Sequence, residues 1–271
     1  MKRRDFLRNT IAGATALVPS VGLTANVGIL SLAIEPSMPI WEAAVGGRWN
    51  IVKEWLRLDL TLITVTGEDM LAGERFEKLT LLHIAIARDS NVEVYQYLLS
   101  QGIDVNAKDD HSCTPLHHAV VTSDSDVDVL KCLVFQGADV QAKNKFSETP
   151  LHWAAHVNKD VEGIKFLVSA GANVHTKDGV GRTPLHSAAW NTNNVGVLQY
   201  LISQGADVNA TTVGGYTPLH YAAGDNSNVY VLEYLVFQGA DAHAKDKNGE
   251  TPLDVANTYE KKRILREAMA R

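Results

Sequence analysis

Hydrophobic and polar positions recur along most of the chain in one long cycle. A short run of small apolar residues gives way to polar ones. A run of larger aliphatic residues follows, then a glycine and a polar stretch, and the order begins again. The small-residue run carries alanine pairs, Ala154-Ala155, Ala188-Ala189 and Ala222-Ala223. They predict a short helix whose neighbours approach closely. The aliphatic run places Val197, Leu198, Leu201 and Ile202 at helical spacing and predicts a second helix. Asn91, Asp126, Asp160, Asn194 and Asn228 each stand directly before a valine. They predict N-caps of that second helix, worth about 1 kcal/mol each. Gly102, Gly137, Gly171, Gly205 and Gly239 follow the aliphatic runs and predict left-handed helix stops. An extended turn such as Ala206-Asp207-Val208-Asn209-Ala210 then leads into the next unit.

The cycle is punctuated by one phrase. It reads Thr114-Pro115-Leu116-His117, Thr149-Pro150-Leu151-His152, Thr183-Pro184-Leu185-His186 and Thr217-Pro218-Leu219-His220, with weaker copies at Thr80-Leu81-Leu82-His83 and Thr251-Pro252-Leu253-Asp254. The copies start at 80, 114, 149, 183, 217 and 251, so the steps are 34, 35, 34, 34 and 34 residues. A fixed period in this range marks stacked repeats. Thr suits the cap of the first helix and Pro its first turn, where a missing N–H costs nothing. With Gly-Ala-Asp-Val-Asn-Ala after the second helix, the phrase resembles the ankyrin repeat over about residues 38–271. The resemblance implies an all-α ankyrin-repeat solenoid of helix–turn–helix units with extended, hairpin-like turns. It implies that the phrase histidine joins a hydrogen-bond network with its Thr and the neighbouring turn, which makes it structural. It also implies a concave groove, lined by turn tips and first helices, that binds a protein partner.

The expected organisation follows from these landmarks. Residues 1–35 form an export segment, and 36–79 a cap-like first unit with a long loop. Five repeats span 80–113, 114–148, 149–182, 183–216 and 217–250, and 251–271 is a C-terminal capping repeat. In the first unit Pro39 to Ala44 takes the place of the phrase, a second helix is expected near Asn50 to Leu58, and extra residues fall within 61–78. In the last, Lys261, Lys262, Arg263, Arg266 and Glu267 are expected to give a charged outer face.

The N-terminus has a different pattern. Lys2-Arg3-Arg4-Asp5-Phe6-Leu7-Arg8 precedes an uncharged stretch from Asn9 to Ile34. A basic start before an apolar run is a signal-peptide layout. Arg3, Arg4, Phe6 and Leu7 resemble the twin-arginine motif that exports folded proteins in bacteria. That resemblance implies a periplasmic or secreted protein. The apolar core from Ile11 to Val18 is short for a membrane span, so a cleaved signal is expected in preference to an uncleaved anchor.

Composition narrows the function. The formal net charge is −6 with no long block of like charge, which argues against nucleic acid as a partner. Two cysteines, Cys113 and Cys132, are too few for a disulfide framework. Cys132 aligns with Tyr97, Phe166, Tyr200 and Tyr234 and is expected to be buried. Cys113 aligns with Glu148, Arg182, Tyr216 and Glu250 and is expected to be more exposed. His111, Cys113, His117 and His118 match no zinc spacing, and His152 and His156 lack the glutamate of a metalloprotease pair, so no metal and no cofactor is assigned. No nucleophile elbow, P-loop or dinucleotide fingerprint occurs, and a non-enzymatic role is expected.

What varies from copy to copy is the residue just before Thr, the residue just after the alanine pair, and the turn tip. Phe146, Glu148, His156, Arg182, Trp190 and Tyr216 occupy such positions and are the expected partner-binding residues, several of them of types enriched at interface hot spots. Trp153 and Tyr221, directly after the histidine, are expected in the core between repeats. The expected function is a monomeric protein-binding scaffold. The alternative is a secreted effector or inhibitor that blocks an enzyme or a host protein.

Overall fold

The computed structural model describes residues 40–58, 79–88, 91–122, 127–157 and 161–270. The export segment, the 61–78 loop, Asp126 and Asp160 lie outside the described residues. Among the described residues every regular element is a helix. The chain divides into two units, one ending at Asp104 and the other beginning at Val105, each with its own core.

The first unit contains α1 (Ile40–Val45), α2 (Trp49–Leu58), α3 (Leu81–Arg88) and α4 (Val92–Ser100). Helix α1 packs on α2 and α3, and Ile40, Ala44, Val52, Leu56, Leu82 and Ala85 are buried. The pair α1–α2 matches the expected first unit, with α2 starting at Trp49, one residue ahead of Asn50.

The second unit repeats a helix pair. The pairs are α5 (Pro115–Thr122) with α6 (Val127–Phe135), α7 (Pro150–Val157) with α8 (Glu162–Ser169), and α9 (Pro184–Asn191) with α10 (Val195–Ser203). They continue with α11 (Pro218–Gly224) and α12 (Val229–Phe237), then α13 (Pro252–Val255) and α14 (Tyr259–Met269). The first helices stack in chain order, each on the next. The alanine pairs suit this stacking: Ala154, Ala155, Ala188, Ala189, Ala222 and Ala223 are wholly buried.

Helices α5, α7, α9 and α11 each start with a capping box in which histidine replaces the usual acid. The Thr183 N–H and hydroxyl both donate to His186 Nδ1, at 3.1 and 2.9 Å. The same pair of bonds recurs at Thr114–His117, Thr149–His152 and Thr217–His220. At the last copy the Asp254 carboxylate takes the ring's place, accepting from the Thr251 N–H and hydroxyl. The second helices are capped as the spacing predicts at Asn91, Asn194 and Asn228, whose side chains accept from the N–H two residues on. Helix α8 departs from this: Val161 holds the cap position with no side-chain bond, and the helix begins at Glu162. The five stop glycines all have φ between +84° and +99°, where a side chain is strained.

Successive repeats are also joined through their turns. Lys145, Gly179, Val213 and Lys247 each donate a backbone N–H to a carbonyl of the preceding turn, at His111, Phe146, Val180 and Gly214, across 2.8–2.9 Å. The side chain of Asn106 donates to Gly137 O and accepts from Asp139 N; Asn209 does the same with Gly239 and Asp241.

One expectation about the last unit is corrected. Arg263, Arg266 and Glu267 face outward, but Lys261 is 2 % exposed. Its ammonium donates to the carbonyls of Ala223 and Asn226 and to Asn257 Oδ1. One repeat earlier Asn226 does the equivalent, donating to the carbonyls of Ala189 and Thr192. A helix end leaves carbonyls without partners, and lysine's three donors can reach several at once.

Candidate protein-binding surface

The phrase histidines fix the surface before any surface residue is considered. Nε2 of His117, His152, His186 and His220 lies 3.0–3.1 Å from the carbonyls of Glu148, Arg182, Tyr216 and Glu250. A carbonyl only accepts, so Nε2 carries the hydrogen. Nδ1 faces an N–H donor and must therefore be the acceptor, which leaves the ring neutral. Burial reinforces this. It pulls His117 and His186 down to about 4 and lowers His152 and His220 as well. Each carbonyl so held belongs to the residue just before the next Thr, the position that varies between copies.

Behind that position stands a polar turn residue. Asp109, Asn144, Asp178 and Asp246 each accept with Oδ1 from the N–H groups two and four residues on. The other terminal atom is left to act on the neighbouring side chain. Asn144 Nδ2 donates to Glu148 Oε2 at 3.0 Å, and Asp178 Oδ2 accepts from Arg182 Nε at 2.7 Å. Asp246 hydrogen-bonds the Tyr216 hydroxyl, and this bond holds the phenol above its ordinary pKa. The turn thus aims the residue before Thr toward the first helix.

What it is aimed at is aromatic. The Arg182 guanidinium lies over the Trp190 ring, 5.1 Å from its centroid. His156 meets Trp190 edge-on at 5.3 Å, and Tyr221 lies 5.8 Å from Trp190 and 6.0 Å from Tyr216. Arg182, Trp190, His156, Tyr216 and Tyr221 therefore form one patch across three repeats, each side chain half-buried. Phe146 stands at a turn tip, 56 % exposed, with the Lys145 ammonium 5.2 Å above its ring.

Glu148 has a different place from the rest. It is 4 % exposed and accepts from Asn144 Nδ2, from Trp153 Nε1 at 2.8 Å and from Arg182 at 3.4 Å. A buried carboxylate with three donors positions its neighbours and is not itself presented. Trp153 and Tyr221 bridge repeats as expected, edge-on to His117 and to His186, but neither is fully buried. Both belong to the patch side of the first helices, which the sequence reading did not assign to them. The signal was available: both follow the histidine directly, and Trp153 lies three residues before His156.

The cysteines exchange their expected burial. Cys113 is buried and Cys132 only half so, although burial still raises the Cys132 thiol. The neighbouring turn covers the small side chain: Asn144 Nδ2 lies 3.8 Å from the Cys113 sulfur. The group His111, Cys113, His117 and His118 divides: Cys113 and His118 come together beside Asp109. His117 is committed to the phrase, whereas His118 Nε2 lies 2.9 Å from Asp109 Oδ2.

Comparison with known proteins agrees with this architecture. The profile described as Ankyrin repeats (3 copies) matches residues 40–144 and 120–212, and that described as Ankyrin repeats (many copies) matches residues 201–256. No curated protein matches the chain. Among solved structures it is similar to the ankyrin repeat domain of Bcl-3, a member of the IkappaB protein family. That match has 28 % identity and a TM-score of 0.63, covering 86 % of this chain and 99 % of the other. The fold is an all-α ankyrin-repeat solenoid, an architecture that serves as a scaffold for protein–protein interaction, and the chain belongs to the ankyrin-repeat family.

Proposed function

We propose that this protein is a non-catalytic binding scaffold that takes its partner on the patch of His156, Arg182, Trp190, Tyr216 and Tyr221. The carrying observation is that an arginine and four aromatic side chains converge at positions that vary between copies, while the frame beneath them is constant. Arginine, tryptophan and tyrosine are the residues that most often dominate binding energy. Here Arg182 is already restrained by Asp178 and Glu148 and Tyr216 by Asp246, so less of their side-chain freedom is lost on binding. Phe146 extends the surface along the turn tips. The experiment is affinity capture with the chain lacking residues 1–35, alongside Trp190→Ala and Tyr216→Ala. A partner held by this patch is recovered with the parent chain and lost or weakened with both variants. Equal recovery with both places the binding surface elsewhere.

The scaffold is proposed to act outside the cytoplasm of a bacterium, in the periplasm or beyond it. Arg3, Arg4, Phe6 and Leu7 support this reading. Replacing Arg3 and Arg4 together by lysine abolishes export if the twin-arginine motif is read correctly, and continued export refutes it.

A further inference from the structure

Three positions recur in each turn at spacing i, i+4 and i+9: the turn residue, the residue before Thr, and the residue after the phrase histidine. In successive copies they are Asp109, Cys113 and His118; Asn144, Glu148 and Trp153; Asp178, Arg182 and Ser187; Thr212, Tyr216 and Tyr221. The second set is a hydrogen-bonded triangle around the Glu148 carboxylate. The first set differs in chemistry. It offers a carboxylate oxygen, a sulfur and an imidazole nitrogen, all buried and all within 4.8 Å of one another. Among the described residues no other group of His, Cys, Asp and Glu converges in this way.

We propose that Asp109, Cys113 and His118 form a binding site for a divalent cation of the zinc class, with water as the fourth ligand. The donor set selects the ion: thiolate and imidazole favour zinc and its neighbours over magnesium or calcium, which prefer all-oxygen sites. The geometry is within reach. Tetrahedral zinc with ordinary bond lengths separates its ligand atoms by roughly 3.3–3.5 Å. The Asp109–His118 contact of 2.9 Å must open by about half an ångström, and the sulfur must close in by rotating about its Cα–Cβ bond.

Asp109 is preorganised for the task. Its Oδ1 is pinned by the N–H groups of His111 and Cys113, both at 2.8 Å, so Oδ2 is presented toward His118. Asn144 Nδ2 lies 3.8 Å from Cys113 Sγ and donates toward it, which supports a thiolate. On binding, the thiol proton is released to solvent and the His118 ring hydrogen moves to Nδ1, freeing Nε2. The cation's two positive charges are then balanced by one carboxylate and one thiolate, so no net charge is buried.

Titration of the untagged, chelator-treated chain with Co2+ tests the site, because thiolate ligation gives a charge-transfer band in the near ultraviolet that imidazole and carboxylate do not. The expected result is one Co2+ per chain with that band, displaced by Zn2+, and a thermal midpoint raised by the metal. Cys113→Ser removes the band, and His118→Gln weakens Co2+ by at least roughly a hundredfold, the upper end of what losing a supporting contact costs. Cys132→Ser leaves both unchanged. Absence of the band in the parent chain overturns the proposal, as does a band that survives Cys113→Ser or disappears with Cys132→Ser. Because the decisive titration uses the parent chain, misfolding of a variant cannot rescue or sink the site.

Discussion

His186 donates from Nε2 to the backbone carbonyl of Tyr216 across 3.1 Å. The ring that closes a repeat's capping box therefore holds the main chain of a patch residue at that repeat's far end, just before the next Thr. Frame and surface share one hydrogen bond, and the frame needs His186 neutral. The same holds for His117, His152 and His220.

The first prediction is acid sensitivity. A histidine whose pKa is lower folded than unfolded binds more protons when unfolded, so stability rises with pH between the two values. For His117 and His186 the window runs from about 4 to the ordinary 6.5. Each contributes on the order of 3 kcal/mol that is fully present above pH 6.5 and lost as pH falls toward 4. His152 and His220 act in the same direction. Thermal midpoints measured across pH should be flat above neutrality and fall steeply below 6.5. A midpoint unchanged down to pH 5 would show that these rings stay paired when protonated.

Glu148→Ala should destabilise by on the order of 3 kcal/mol, because it removes the acceptor of buried Asn144 and of the half-buried Trp153 and Arg182 at once. Glu148→Gln, which keeps one acceptor, should cost less than half as much. Urea unfolding of the two variants ranks them, and equal losses would assign the effect to volume rather than to the donors on Asn144, Trp153 and Arg182.

Gly181→Ala and Gly205→Ala should separate two causes of strain. Both positions have φ near +85° to +89°. A methyl at Gly205 meets open space, and the cost is the left-handed backbone alone, about 1 kcal/mol. At Gly181 the methyl comes 2.8 Å from the Val213 nitrogen, which carries the turn-to-turn hydrogen bond with Val180. Gly181→Ala should therefore cost clearly more, and hydrogen exchange at the Val213 amide should quicken only in that variant.

Lys261→Met keeps the aliphatic stem and removes the donors. It leaves the carbonyls of Ala223 and Asn226 without the ammonium and should cost about 2–3 kcal/mol. Amide exchange should rise across α13 and α14 and leave α5 to α8 protected, since each repeat leans mainly on its neighbours.

Much of this was legible in the chain because repetition multiplies weak signals. One Thr-Pro before an apolar run is a hint; the same pair at a fixed period, with Gly always 12 residues ahead, sets the helix pair and its turn. Single substitutions against that background were harder to read. The register of Cys113 also holds Arg182, Tyr216 and Glu250 and suggests an exposed position, yet which way one side chain turns depends on its partners. Asn144 of the next turn lies against the Cys113 sulfur, and Asn144 and Trp153 draw the Glu148 side chain inward. Lys261 reads as part of a charged face because nothing in its own helix reveals the carbonyls waiting in the preceding repeat. The patch was found through variation at fixed positions, and its pairwise contacts became visible only once neighbouring repeats were in place.

The contact of Lys261 has a bearing on how long such a chain can be. The closing unit requires of its predecessor a first helix that ends in open carbonyls, which residues 217–250 provide as residues 183–216 do for Asn226. A duplicate of 217–250 spliced in ahead of Thr251 would offer the same acceptors. The array is thus extensible from within, because an inserted repeat would find the acceptors it needs on one side and present the same ones on the other.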